Sequence, residues 1–330
     1  MATKTKKFKL FDSNRDGKGV YEEENRKPTL LFFFKLLWRK LSQLVRLNVL
    51  LFAQVIPVLV FLYVYFLGVK TPTATELAYA PLYGISKISS SASLIPALDM
   101  NAIQMGIPIF SPTIIAILIV LAVIFALTFG WINVGAAYVV RGLFRGDPVF
   151  VFSDFFYAIK KNFKQAFFFG LLDFTCIVVL VVDFLHFYSR TGSYGNDVMY
   201  FMILAVALIY LIMRFYVYHM MLTFDLSVRK ILKNALIFTM LGIKRNLLAI
   251  FGLLLFIAIH LLLIRAFLSM GITIPIILPF FYAMAIMKFI TTYAAFPVIE
   301  KYMITPYENS TADVSDEAEI SDETTAEEAE

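Results

Sequence analysis

Charge is what this chain has least of. Asp, Glu, Lys and Arg make up 16% of its 330 residues while 60% are hydrophobic, where a soluble domain carries about a quarter charged. That excludes an ordinary soluble globular protein. The single cysteine, Cys176, excludes an intrachain disulfide, and its place in an apolar run suits a packing residue. Three histidines and no CxxC, HExxH, GxSxG or phosphate-binding glycine loop leave little from which to build an enzyme. No catalytic residue and no cofactor is expected.

What the chain has instead is long uncharged runs. Residues 47–69, 113–140 and 246–264 carry no charge over 23, 28 and 19 positions. At about 1.5 Å per residue each crosses a hydrocarbon core of roughly 30 Å. Residues 165–189, 198–224 and 271–297 are as apolar apart from a few ionisable side chains. The expected fold is all-α: a polytopic membrane protein with six transmembrane helices and interfacial cytoplasmic helices. Its parts are a cytoplasmic N-terminal tail (1–28), a six-span membrane domain (29–307) and an acidic cytoplasmic tail (308–330). The first 28 residues show no short apolar core followed by small residues, so the first span is expected to act as an uncleaved insertion signal.

Lys and Arg set the orientation. Residues 1–46, 141–164, 225–245 and 298–330 hold 23 of them, against four in 70–112, 189–197 and 265–271. Both termini are therefore expected in the cytoplasm of a cell-membrane protein. The basic residues need no nucleic acid to explain them, because an anionic inner leaflet attracts each by about 1 kcal/mol. The alternative is a protein docked on Lys160, Lys161, Lys164, Arg229, Lys230 and Lys233. The tail 308–330 has ten acidic residues and no basic one, which predicts disorder. Residues 70–112, rich in Ser, Thr, Pro and Gly, read as an external insertion with one short helix near 94–105. A tolerated insertion is the simpler reading, and a partner surface the other.

Amphipathic stretches precede the spans. TLLFFFKLLWRKLSQLVRL fits either an interfacial helix or the solvated start of a longer first helix. Ile159-Lys160-Lys161-Asn162-Phe163 matches Ile243-Lys244-Arg245-Asn246-Leu247, with Arg46-Leu47-Asn48 a fainter copy. The pattern suggests three hairpins, each an interfacial helix followed by two spans. Asp154 and Asp225 read as helix-start residues that satisfy free amides.

DSNRDGKGVYEE (12–23) fits a calcium-loop pattern. Asp12, Asn14 and Asp16 would supply side-chain oxygens and Glu23 a bidentate carboxylate. Against it, the preceding KTKKFKL is short and basic, Gly19 stands where a large apolar residue is usual, and no second loop exists. It is a weak metal candidate.

Ionisable residues within apolar runs are costly and so mark candidate sites. Asp173, Arg214 and Lys288 all fall about 12–15 Å from the cytoplasmic side at the helical rise. An Asp173–Arg214 pair with Lys288 nearby would neutralise the most expensive charges. Asp183, His186, His260 and Arg265 form a second set near the external side. Either the pair fixes helix packing, the favoured reading, or the two layers mark a path for an ion, proton or small solute. Proton coupling needs a carboxylate free to titrate, which pairing opposes.

LFDSNRDGKGV at the N-terminus, TFGWINVGAAYVVRGLFRGDPVFVFSDFFYAIKKNFKQA (128–166) and LTFDLSVRKILKNALIF (222–238) together resemble the YesL-like family of bacterial integral membrane proteins. Arg141, Gly142, Asp154, Lys161, Asn162, Asp225, Lys233 and Asn234 lie in these motifs and are candidates for docking. The resemblance touches five spans but neither the segment 70–112 nor the acidic tail. It departs from the family at Trp131, where Pro is expected, and at His219. It implies six or nearly six helices, no established enzymatic activity, and an accessory role beside carbohydrate importers of the ABC type or their sensor kinases. It also claims NRDGKGV as a family marker rather than a calcium loop.

Overall fold

A computed structural model describes residues 28–68, 70–71, 107–190, 192–272 and 274–307. The calcium-pattern residues Asp12, Asn14, Asp16 and Glu23, the short helix expected near 94–105 and the acidic tail all lie outside the described residues.

Helix α1 (Leu30–Leu67) starts at Thr29, whose hydroxyl accepts the Phe32 N–H at 3.3 Å. It runs unbroken for 38 residues, through Pro57. The stretch before the first span is therefore the start of a longer helix and not a separate interfacial one. Its stripe Leu36, Leu44 and Leu47 is buried in the bundle, while Leu31 and Trp38 stay exposed, as suits an interfacial aromatic. Strand β1 (Lys70–Thr71) pairs antiparallel with β2 (Ile107–Pro108), Lys70 opposite Pro108, which draws together the ends of the long insertion.

Helix α2 (Pro112–Arg145) begins with Pro after the N-cap Ser111 and ends at Gly146, where φ of 82° demands glycine. A short amphipathic α3 (Val151–Lys161) bends at Asn162 into α4 (Phe163–Tyr188), and α5 (Tyr194–Thr223) returns. Helix α6 (Val228–Leu241) bends at Gly242 into α7 (Ile243–Leu268). A short α8 (Ile274–Ile277) and a 3₁₀ turn (Leu278–Phe281) lead to α9 (Ala283–Ile299), which continues through a π turn to Tyr307.

Among the described residues, helices α1, α2, α4, α5, α7 and α9 are the six long and apolar enough to cross a membrane. This is an all-α polytopic membrane protein. Helix α9 is the least apolar of the six and the most enclosed: 56% of its spanning window is buried, against 6–17% for the others. Side chains facing lipid must be apolar, whereas a helix ringed by protein can carry Lys, Thr and Asn if they find partners. Two apolar clusters surround it, one of α1, α2, α3 and α9, the other of α2, α3, α4, α5, α6, α7 and α9. Both lie at the end where the basic residues gather, and the far halves of the spans face outward.

Helices α2 and α4 cross at Gly130 and Gly170. A Cβ on Gly170 would stand 2.2 Å from the Gly130 Cα, so the two backbones touch and no side chain fits between them. Small residues let membrane helices approach this closely, and the contact area replaces the hydrophobic drive that lipid removes. Gly170→Leu is expected to destabilise the bundle by more than the roughly 1–3 kcal/mol of ordinary overpacking. Gly252→Ala, whose Cβ would sit an ordinary 3.5 Å from Ile290, should leave the molecule unharmed. Size-exclusion profiles and thermal unfolding in detergent check this; a monodisperse Gly170→Leu protein with unchanged melting would refute the close-packed crossing.

Candidate functional site: a buried polar layer beside a cavity

On α5, Tyr210, Arg214 and Tyr218 recur every four residues and so share one face. That face meets Asp173 of α4, which is fully buried. Tyr210 Oη donates to Asp173 Oδ1 at 2.8 Å, and Arg214 Nε lies 2.8 Å from Oδ1 and 3.1 Å from Oδ2. Tyr218 Oη donates to Oδ2. Three donors on one helix thus satisfy a carboxylate on its neighbour. The Arg214 guanidinium also stands over the Phe129 ring of α2, 5.6 Å from its centre. The two tyrosines carry no signal of their own in the sequence beyond their four-residue spacing about Arg214.

Lys288 of α9 joins this layer without joining the ion pair. Its Nζ donates to Asn133 Oδ1 at 3.2 Å and sits 5.0 Å from the Tyr218 ring centre. Asn133 in turn donates to the Phe129 carbonyl of its own helix. Among the described residues, no carboxylate forms an ion pair with Lys288. His219, one residue beyond Tyr218 and buried, places Nε2 3.0 Å from Thr292 Oγ1. The Thr292 hydroxyl is already given to the Lys288 carbonyl at 2.8 Å, so Nε2 is the donor and a neutral ring leaves Nδ1 as an acceptor. Among the described residues that Nδ1 has no partner. Arg214, Tyr218, His219, Asn133, Lys288 and Thr291 line a cavity of about 380 Å³ together with Leu211, Phe215, Leu253, Met284 and Met287.

The second predicted set is not assembled. Asp183 is half-buried on α4 with no polar partner among the described residues, and His186 is exposed, packed edge-on against Phe187. His260 on α7 bonds the Phe256 carbonyl at 2.7 Å and Tyr282 Oη at 2.5 Å, while Arg265 is exposed. Helix α4 packs on α2 and α5, whereas α7 packs on α9. A continuous two-layer path therefore finds only its inner layer here. Among the described residues no group of three or more His, Cys, Asp or Glu could hold a metal.

The remaining motif residues line the basic end. Arg141 Nη1 donates to Thr223 Oγ1 at 2.8 Å and stacks over Tyr138. The Gly142 carbonyl closes the end of α2 by accepting from Gly146 and Asp147. Asp154 accepts the Phe150 N–H at 2.8 Å, the helix-start role expected of it. Asp225 does not cap α6: the helix starts at Val228 after Ser227, three residues on, and Asp225 is exposed. Asn162 Nδ2 donates to the Ala158 carbonyl at the α3–α4 bend. Lys161 and Lys233 are exposed and Asn234 half-buried. Trp131 Nε1 donates to the Phe163 carbonyl at 3.0 Å and stacks on its ring, pinning α2 to the start of α4.

A family model described as "Protein of unknown function, DUF624" matches residues 110–184. That is a family of membrane proteins. The matched stretch covers α2, α3 and most of α4, so it holds the Gly130–Gly170 crossing, Asn133 and Asp173 but neither Arg214 nor Lys288. No curated protein and no solved structure matches the chain.

Removing one member of a buried ion pair costs about 3–5 kcal/mol, because the other charge is left uncompensated. Asp173→Asn should accordingly collapse the folded yield, and Arg214→Gln in the same chain should restore much of it. Fluorescence-detected size exclusion reads both. Normal yield for Asp173→Asn alone would show that the pair is not what holds α4 to α5.

Proposed function

We propose that the chain is a non-enzymatic accessory component of the cell membrane, of the YesL type, with both termini in the cytoplasm. It serves carbohydrate uptake by docking on an ABC-type importer or its sensor kinase. The observation that carries this reading is a groove of about 750 Å³ at the basic end, lined by Lys160, Lys161, Asn162, Lys164, Gln165 and Asp225 among others. Three lysines project from the α3–α4 bend beside the α5–α6 corner, which Gln165 holds by donating to the Leu226 carbonyl at 2.8 Å. A rigid basic corner at the cytoplasmic leaflet suits anionic headgroups, at about 1 kcal/mol per cation. It equally suits an acidic protein surface, with charge complementarity setting register and encounter rate. The resemblance to YesL-type proteins names which partners to look for.

A second reading, small-solute or ion transport, draws on the cavity beside Lys288. Proton coupling through Asp173 receives no support, since three donors already occupy that carboxylate.

Affinity purification from native membranes tests the first reading. An ABC transporter subunit or sensor kinase is expected with the wild-type chain and lost when Lys160, Lys161 and Lys164 are all changed to Glu. Recovery of neither, against a control membrane protein of equal abundance, would overturn it. Solute flux in proteoliposomes of the protein alone would establish the second.

A further inference from the structure

We propose that the membrane-embedded cavity beside Lys288 binds one small anion that carries a neighbouring hydroxyl group. The inference goes beyond the accessory reading and stands whether or not a protein partner is found.

Charge supplies the first reason. With Lys288 protonated, the polar layer holds two cations, Arg214 and Lys288, and one carboxylate, Asp173, which is taken up by Arg214 and two tyrosine hydroxyls. One positive charge is then left over, and among the described residues Lys288 contacts the neutral Asn133 amide and the Tyr218 ring face without an ion pair of its own. A surplus cation away from water draws a counter-ion strongly, because little solvent screens the attraction.

His219 supplies the second. It is 2% exposed, lines the same cavity, and has Nδ1 as a bare acceptor. Buried acceptors without partners are rare and costly, so a donor belongs there. Nδ1 is itself enclosed, so a ligand hydroxyl satisfies it only once the ring shifts toward the cavity, while the anionic group meets Lys288. The cavity is of the right order, about 380 Å³, in the lower range of small-molecule pockets.

Two sources carry this chemistry. A lipid headgroup such as phosphatidylglycerol combines a phosphate with glycerol hydroxyls, and Leu253, Met284 and Met287 offer its chains an apolar wall. A soluble polyhydroxy acid combines a carboxylate with hydroxyls.

The test uses the full chain in a non-ionic detergent. Native mass spectrometry counts bound phosphatidylglycerol against neutral diacylglycerol, and titration calorimetry compares gluconate with glucose. One anion should bind at one per chain and its neutral counterpart should not. Lys288→Gln should weaken it by about tenfold or more, the worth of a hydrogen bond to a charged group. Met287→Trp adds bulk to the cavity from an apolar position of its lining and should do the same. Retained phosphatidylglycerol would assign the lipid source and gluconate binding the soluble one. The proposal is overturned if neither anion binds wild type, or if the neutral counterparts bind equally well. Full binding by a folded Lys288→Gln or Met287→Trp protein would overturn it too.

Discussion

A polar group without a partner inside a hydrocarbon layer costs several kcal/mol, and that constraint organises this bundle. Its clearest expression is Asp173. The carboxylate can exist at its depth only because Tyr210, Arg214 and Tyr218 reach it together. All three belong to α5, so satisfying one side chain of α4 fixes the rotation of α5 about its own axis. With that face turned to α4, His219 is carried toward Thr292 and the Tyr218 ring toward Lys288, both on α9. One buried charge thereby sets the register of three helices. Such networks specify a single arrangement more surely than apolar contacts, which slide at little cost.

The same constraint governs where helices break. Asn162 donates to the Ala158 carbonyl where α3 bends into α4. Asn246 donates to the Thr239 carbonyl at 3.1 Å and accepts from Tyr216 at 2.6 Å, holding the bend between α6 and α7. Asn48 donates to the Phe280 carbonyl at 2.6 Å and accepts the Ala285 N–H at 2.9 Å, which serves the free groups at the start of α9. These are the three asparagines of the faint sequence repeat. The repeat thus marks a shared task, supplying an amide wherever backbone groups come free. A short helix followed by two spans does recur, as α3 with α4 and α5 and as α6 with α7 and α9, although the second bend is at Gly242, one turn before Asn246, and α1 has no bend at Asn48.

The six spans were legible because hydropathy over a long window depends on composition and not on partners. The Asp173–Arg214 pair was legible because charges in apolar runs are few and depth along each helix narrows their pairing. What stayed hidden depended on which helices become neighbours. Asp183 and His260 share a depth, but α4 and α7 pack on different helices, so nothing brings the outer set together. The two tyrosines were hidden for another reason: seventeen tyrosines in an aromatic-rich chain give each one little individual weight. The start of α1 was undecidable because amphipathic character is the same whether a stripe faces lipid headgroups or protein.

The cavity beside Lys288 does not follow from loose packing. One turn from Asn133, the backbones at Gly130 and Gly170 are in direct contact, so this bundle closes fully where its sequence supplies small residues. Around Lys288 the sequence supplies Met284, Met287 and Leu253, flexible side chains that leave a pocket edge adaptable. A helix as enclosed as α9 could carry alanine at position 288, as it does at 285, 294 and 295, with no charge to balance. Lysine there instead costs the desolvation of its ammonium group. That cost is recovered when something negative fills the space, so the stability of the fold and the occupancy of the cavity are linked through one side chain.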